Sequence, residues 1–230
     1  MKRISFIPIL VLACASTYGQ IQQVNNGRLD ELVFYVGTNS IEYDDESEGS
    51  PYLSEAFIPA NINGLKETQF VRFNAVESII ELKDMDDVLT LSNSYDYIIE
   101  LLDGSEKMYE THVFINEDRT TGSSFFEKLH SSEKYTLFLK ERIIYTPPKK
   151  AKSSYEQDVP GKFKKGRALF YLTDLNLTND SLMEVPRKKK NFLSLFKGKR
   201  KSVEKFMKME KLKPEKKEDI IRILNFYFRQ

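Results

Sequence analysis

The chain has 230 residues, 35 Lys+Arg against 34 Asp+Glu, a formal charge of +1, and 40% apolar residues that include 16 Phe and 12 Tyr but no Trp. That apolar and aromatic content can build a core, which excludes a wholly disordered chain. One cysteine excludes a disulfide framework, a Cys-based zinc cluster and a CxxC redox pair. A single apolar run, at the start, approaches membrane length, so a multi-span helical protein is also excluded and a globular chain of one large domain with a small appendage remains.

Residues 1–19 read as a secretory signal peptide. Lys2 and Arg3 form a positive start, and residues 4–15 are apolar apart from Ser5 and Pro8. This run is shorter than the roughly 20 residues a spanning helix needs. Thr17 and Gly19 place small residues before a cut at Gln20. A weaker alternative takes Val11, Leu12, Ala13 and Cys14 as a lipobox, with Cys14 acylated. Either route leads to export, to the periplasm, the outer membrane or the outside. Under the first cut the mature chain has no cysteine, which suits an oxidising compartment.

Residues 20–31 form a flexible lead, and 32–185 read as an antiparallel β domain. Residues 42–50 are an acidic loop. Runs rich in Ile, Val, Tyr, Phe and Leu at 68–73, 78–82, 88–91, 97–102, 107–115, 135–145 and 167–172 are strands, the sixth long enough for two. Turns are expected at residues 84–87 and at Asp103 with Gly104, the latter suited to a two-residue hairpin. Strand runs about every ten residues without helical patterns between them imply a sandwich, roll or open barrel. Residues 147–166 hold Pro147, Pro148, Pro160 and Gly161 without an apolar period, and read as a long loop.

From Pro186 the pattern changes to helical spacing. Phe192, Leu193, Leu195 and Phe196 form one apolar stripe, and Val203, Phe206 and Met207 a second. In the last helix, opened by Pro214 and Glu215, the apolar face is Ile220, Ile221, Leu224, Tyr227 and Phe228. Residues 186–230 are thus a basic helical segment packed on the β domain, since helices this short need such packing. Residues 187–217 carry a net +11 in a chain of total +1, which leaves −10 for the remainder. Two readings stand: a solvated face balanced by acidic patches on the same molecule, or an anionic-surface contact made by Arg187, Lys188, Lys189, Lys190, Lys199, Arg200 and Lys201. Nucleic acid is not expected, for want of a strand-based aromatic platform.

Signals for chemistry are sparse. His112 and His130 lie eighteen residues apart without HExxH or HxH context. No GxSxG, GxxxxGK[ST] or GxGxxG is present, and Gly122, Ser123 and Ser124 read as a turn. No cofactor and no metal are expected. Asp44, Asp45 and Glu46 could offer oxygens to calcium but do not match an EF-hand loop, and read as solvated. Carboxylate pairs for glycoside hydrolysis are set by spatial separation and are not visible in a sequence. Tyr52, Leu53 and Phe57 read as core anchors, and Arg72 as a solvated residue or a cross-strand partner of Glu81 or Glu77.

Several short motifs are familiar. Ser50, Pro51, Tyr52 and Leu53 with Phe57 precede Val71, Arg72, Phe73 and Asn74, then Ile80, Glu81 and Leu82. Further on stand Phe125, Phe126, Glu127, Lys128 and Leu129, and then Tyr135, Thr136 and Leu137. The ending combines Lys188, Lys189, Lys190, Phe192 and Leu193 with Glu218, Asp219, Ile220, Ile221, Phe226 and Tyr227. Over most of residues 49–228 the chain resembles a broad group of exported β-rich proteins of Gram-negative, Bacteroidota-type bacteria, with Phe73 where that group often has Tyr. The resemblance implies a β domain with a helical end and supplies no activity. The expectation is an exported, non-enzymatic binding or structural protein of the cell envelope. The rivals are a carboxylate-based hydrolase acting on glycan and a surface-adhesion element using the basic helices.

Overall fold

The computed structural model describes residues 43–63, 65–153, 155–173 and 180–229. The expected signal peptide, the lead and Cys14 lie outside them. The described chain is mainly β with a small helical end, as the strand spacing implies. Its strands are β1 (Ile58–Ile62), β2 (Gln69–Asn74), β3 (Ile79–Asp84), β4 (Asp87–Thr90), β5 (Ile98–Leu101), β6 (Met108–Ile115), β7 (Thr121–Ser131), β8 (Thr136–Lys140), β9 (Ile143–Thr146), β10 (Lys162–Lys165), β11 (Leu169–Leu172) and β12 (Leu182–Glu184).

Ten strands form one sheet in the order β12-β11-β8-β7-β6-β5-β1-β2-β3-β4. β12 also pairs with β6, Leu182 opposite Phe114 and Met183 opposite Ile115, and this pair is parallel rather than antiparallel. The extra pairing closes β6, β7, β8, β11 and β12 into a small barrel. The first half of β6 pairs instead with β5, Ile99 opposite Tyr109, and carries the remaining strands away as a curved wing.

Alternation on β2 decides its faces. Val71 and Phe73 are 2% and 7% exposed, whereas Phe70 is 51% exposed. The inward set joins Ile80, Leu82, Leu91, Ile99, Tyr109 and Phe125 in the core of the wing. Inside the barrel, Phe126, Phe138, Tyr171 and Leu182 form a second core, with Phe114 against it. Neighbouring residues of one strand therefore serve different cores. Phe125 faces the wing and Phe126 the barrel, both 0% exposed. A strand buried on both sides loses its alternation, which is why β7 is absent from the sequence pattern. Gly122, Ser123 and Ser124 lie in that strand and are not a turn: the Phe114 ring crosses within 3.2 Å of where a Cβ on Gly122 would sit.

The expected turn at residues 84–87 is present, whereas the one at Asp103 and Gly104 differs from expectation. The two-residue hairpin is Met85 and Asp86 between β3 and β4, with Met85 at φ 51°. Asp103 and Gly104 belong to a longer link over 102–107, with Gly104 at φ 82° and the Asp103 carboxylate accepting from the Ser105 amide at 2.9 Å. The expected long loop at 147–166 ends in β10, which pairs with β9 as a separate two-stranded arm. Tyr43, Tyr145 and Phe163 pack their rings at the arm's base, 4.8–5.1 Å apart.

Four helical pieces follow: α1 (Lys189–Phe192), a 3-10 turn (Leu193–Leu195), α2 (Arg200–Met209) and α3 (Lys217–Arg229). Phe192, Phe196, Val203, Ile220, Ile223 and Leu224 are fully buried against Leu137, Leu172 and Val185 of the barrel wall. The Phe206 and Phe226 rings stack with centres 4.0 Å apart. The Tyr135 hydroxyl donates to Asn225 at 3.1 Å, and its ring stacks on Phe228. The helices thus cover the outside of β8 and β11.

Candidate functional site

The basic residues do not act as one patch. Arg187 donates to the Ala168 carbonyl at 2.8 Å, and Lys199 to that of Tyr227 at 3.3 Å while lying over the Tyr227 ring. Lys189 pairs with Glu204 at 3.1 Å. Lys188, Lys190, Arg200 and Lys201 are exposed and make no ion pair among the described residues.

Neither histidine meets a metal-ligand set, and among the described residues no three carboxylate, imidazole or thiol groups converge for one. His112 lies on the barrel face of β6. Its Nε2 is 3.0 Å from Glu110 Oε2, and Lys128 Nζ is 2.9 Å from Glu110 Oε1. The His112 bond and the Lys128 charge hold the Glu110 carboxyl below its ordinary range. Ser124 is directly opposite His112, but its hydroxyl is fully buried without a hydrogen bond, so the pair is no nucleophile and base. His130, past a bulge in β7, packs its ring 5.4 Å from that of Tyr135.

The acidic loop is bound to the arm. Glu48 pairs with Lys162 and bridges to it through the backbone, and the Asp44 carboxylate accepts from the Glu46 amide at 2.9 Å. Three more carboxylates, Glu117, Asp118 and Glu184, line a pocket at one end of the barrel. Each accepts a bond there: Glu184 from the Glu117 amide, Asp118 from the Thr120 amide and hydroxyl, and Glu117 from Asn191. The Thr120 bonds hold Asp118 below its usual range, the opposite of what a general acid needs.

A different site lies in the wing. Arg72 pairs with Glu81, directly opposite on β3, as the sharper of the two sequence readings has it. Its Nε donates to Glu81 at 2.8 Å and its Nη2 to the Tyr52 hydroxyl at 2.8 Å. The guanidinium lies over the rings of Tyr52 and Phe57, 3.7 and 4.5 Å from their centres. Tyr52 and Phe57 are therefore anchors by way of Arg72, and they fix the segment before β1 on the sheet. Leu53 of that segment packs on the wing core and walls a pocket of about 190 Å³.

The walls of this pocket are Leu53, Ile58, Val71, Phe73, Ile80 and Leu101; Ser54, Asp103, Ser105 and Lys107 form its polar edge. Tyr109 stands among them, 5% exposed, its ring stacked on Phe73 at 5.3 Å. Its hydroxyl has no hydrogen-bond partner among the described residues. It is also not sealed in, because among them the Ser124 hydroxyl is the one fully enclosed side-chain nitrogen or oxygen without a partner. Burial first, then the nearby Glu127, Glu141 and Asp103 carboxylates, push the Tyr109 phenol well above its ordinary range. It therefore stays protonated, ready to donate and accept. Lys107 Nζ neutralises the edge, 2.9 Å from Glu127 and 3.6 Å from Glu141. Apolar walls with one convergent polar group can hold a small molecule; no nucleophile and base are brought together here.

Compared with family models, curated proteins and solved structures, the chain matches none. Sequence reasoning places Tyr109 in a strand but does not single it out. The readable signal is its position two residues before Thr111, which places the two polar-tipped side chains on one face of β6.

Proposed function

We propose that this is an exported, non-enzymatic binding protein of the cell envelope whose β domain holds a small amphipathic molecule in the pocket beneath Tyr109. One observation carries the reading: Tyr109, a buried residue whose hydroxyl has no protein partner among the described residues, lines an apolar-walled pocket. A ligand's polar end that exchanges water for a direct hydrogen bond to this hydroxyl would gain about 0.5–1.5 kcal/mol. A dry cavity of about 150 Å³ admits a benzene ring, so about 190 Å³ suits one ring with a short substituent. Export is supported by the leader-like start and by the resemblance to exported β-rich proteins.

The test is a calorimetric titration of the full chain with 4-methylphenol and with toluene. The parent protein should bind the phenol more tightly. Tyr109→Phe should weaken the phenol about 5–10-fold, the value of one hydrogen bond, and leave toluene unchanged. No binding of either compound, or a phenol affinity indifferent to the Tyr109 hydroxyl, would refute the proposal.

Adhesion through the basic helices is a second reading, favoured by the four exposed cations Lys188, Lys190, Arg200 and Lys201. Its occupant would be an anionic lipid surface.

A further inference from the structure

The barrel has its own pocket, distinct from the one in the wing and of different chemistry. It is open, about 500 Å³, and lies between the barrel end and the β2–β3 turn. Lys140, the last residue of β8, reaches into its lining. Its Nζ is 4.6 Å from the centre of the Phe114 ring and 5.7 Å from that of Phe126. No carboxylate pairs with it among the described residues, although three line the same pocket.

The reason is that those carboxylates are engaged elsewhere. The β6–β7 turn supplies Glu117, bound to Asn191, and Asp118, bound to Thr120. β12 supplies Glu184, bound to the Glu117 amide. β11 supplies Tyr171, whose hydroxyl donates to Asn116 at 2.7 Å and is held protonated by burial. The one further cation of the lining is Arg142, two residues past Lys140, and the β2–β3 turn contributes the uncharged Val76 and Ser78. Burial, reinforced by Arg142, lowers the Lys140 ammonium from 10.5 to about 8. The attraction of the two rings for the charged form does not reverse this direction. A free anion gains little in a pocket that already holds three carboxylates against two cations. A neutral electrophile faces no such opposition.

We propose that Lys140 is a reactive amine that captures a small neutral aldehyde or ketone in this pocket as an imine. The neutral nitrogen attacks the carbonyl carbon, a C–N bond forms, and the carbonyl oxygen takes up a proton. The resulting carbinolamine loses its hydroxyl, with the remaining amine proton, as one water molecule, and C=N is formed. No oxidant or reductant takes part, and hydrolysis reverses the step. A lysine laid against two aromatic rings, beside a second cation and without a carboxylate partner, is a form in which an amine serves as a nucleophile near neutral pH.

The full chain is exposed at pH 7.5 to butanal with cyanoborohydride, which traps imines as secondary amines, and modified lysines are located by peptide mass mapping over a pH series. Lys140 should be trapped at least about tenfold faster than the exposed lysines, because far more of it is unprotonated. Its rate should level off near pH 8, while theirs continue to climb. Arg142→Gln should slow trapping at Lys140 and leave the others unchanged. Trapping at Lys140 no faster than at the exposed lysines, or a rate still climbing past pH 10, would overturn the proposal, and neither result depends on the pocket beneath Tyr109.

Discussion

Replacing Lys140 by Met keeps an unbranched chain over the Phe114 and Phe126 rings and removes the charge. The fall of its pKa from 10.5 to about 8, at about 1.4 kcal/mol per tenfold change in proton affinity, amounts to about 3 kcal/mol of desolvation cost in the native state. The attraction of the ammonium for the two rings returns about 1 kcal/mol, so the variant should be more stable by about 2 kcal/mol at pH 7. Folding lowers the proton affinity of this amine, so the unfolded chain binds more protons between pH 8 and 10.5, and the parent's stability rises with pH across that window. The advantage of Lys140→Met is therefore full below pH 8 and vanishes above 10.5. Scanning calorimetry of both proteins from pH 6 to 11 reads the difference directly. A gain of roughly 4–8 °C in Tm at pH 7 is expected for a chain of this size, closing at the alkaline end. A variant that melts lower at pH 7, or a gap independent of pH, would refute the reasoning.

Three further outcomes follow from the packing. Arg72→Ala strips Glu81 of its cation and frees Tyr52, and thermal or urea melting should show a loss of about 2–3 kcal/mol; an unchanged midpoint would mean the Arg72 cluster is solvated ornament. Phe192→Ala should cost about 3–5 kcal/mol by opening a cavity between α1 and the barrel wall, with hydrogen exchange in α2 and α3 accelerating as the cover loosens. Sedimentation with acidic vesicles at low salt should retain the parent chain, and exchanging Lys188, Lys190, Arg200 and Lys201 for Gln should release most of it; equal pelleting with neutral vesicles would dispose of the adhesive reading.

Much of the fold is legible in the sequence because strands with one wet face keep their period. β2 and β3 show inward and outward residues in turn, and the helical end shows its stripes. What escapes notice has physical causes. β7 is wedged between two cores, so Phe125 and Phe126 are both inward and the period disappears. β1 contains Pro59, a strand breaker by propensity, whose carbonyl nonetheless accepts from the Leu102 amide at 2.8 Å. β12 is three residues long and is held by partners on both sides. β10 carries Lys162, Lys164 and Lys165 and has one inward apolar side chain, Phe163.

The candidate sites are harder to read for a related reason. Tyr109 shares its face of β6 with Thr111, and Lys140 shares its face of β8 with Phe138, which the sequence displays. Their missing partners depend on where Glu127, Glu184 and Asp118 end up, and only the folded chain decides that. The basic run shows the reverse. Seven cations in two short runs look alike in sequence, yet Arg187, Lys189 and Lys199 are spent on carbonyls, a carboxylate and a ring, and four remain for a partner.

Crystals of the full chain soaked in 4-methylphenol give the most direct answer about what the β domain holds. Density for the ring should appear between Leu53, Val71 and Leu101, with the phenol oxygen about 3 Å from the Tyr109 hydroxyl. An empty pocket at a saturating concentration, with the compound elsewhere or absent, would contradict the account.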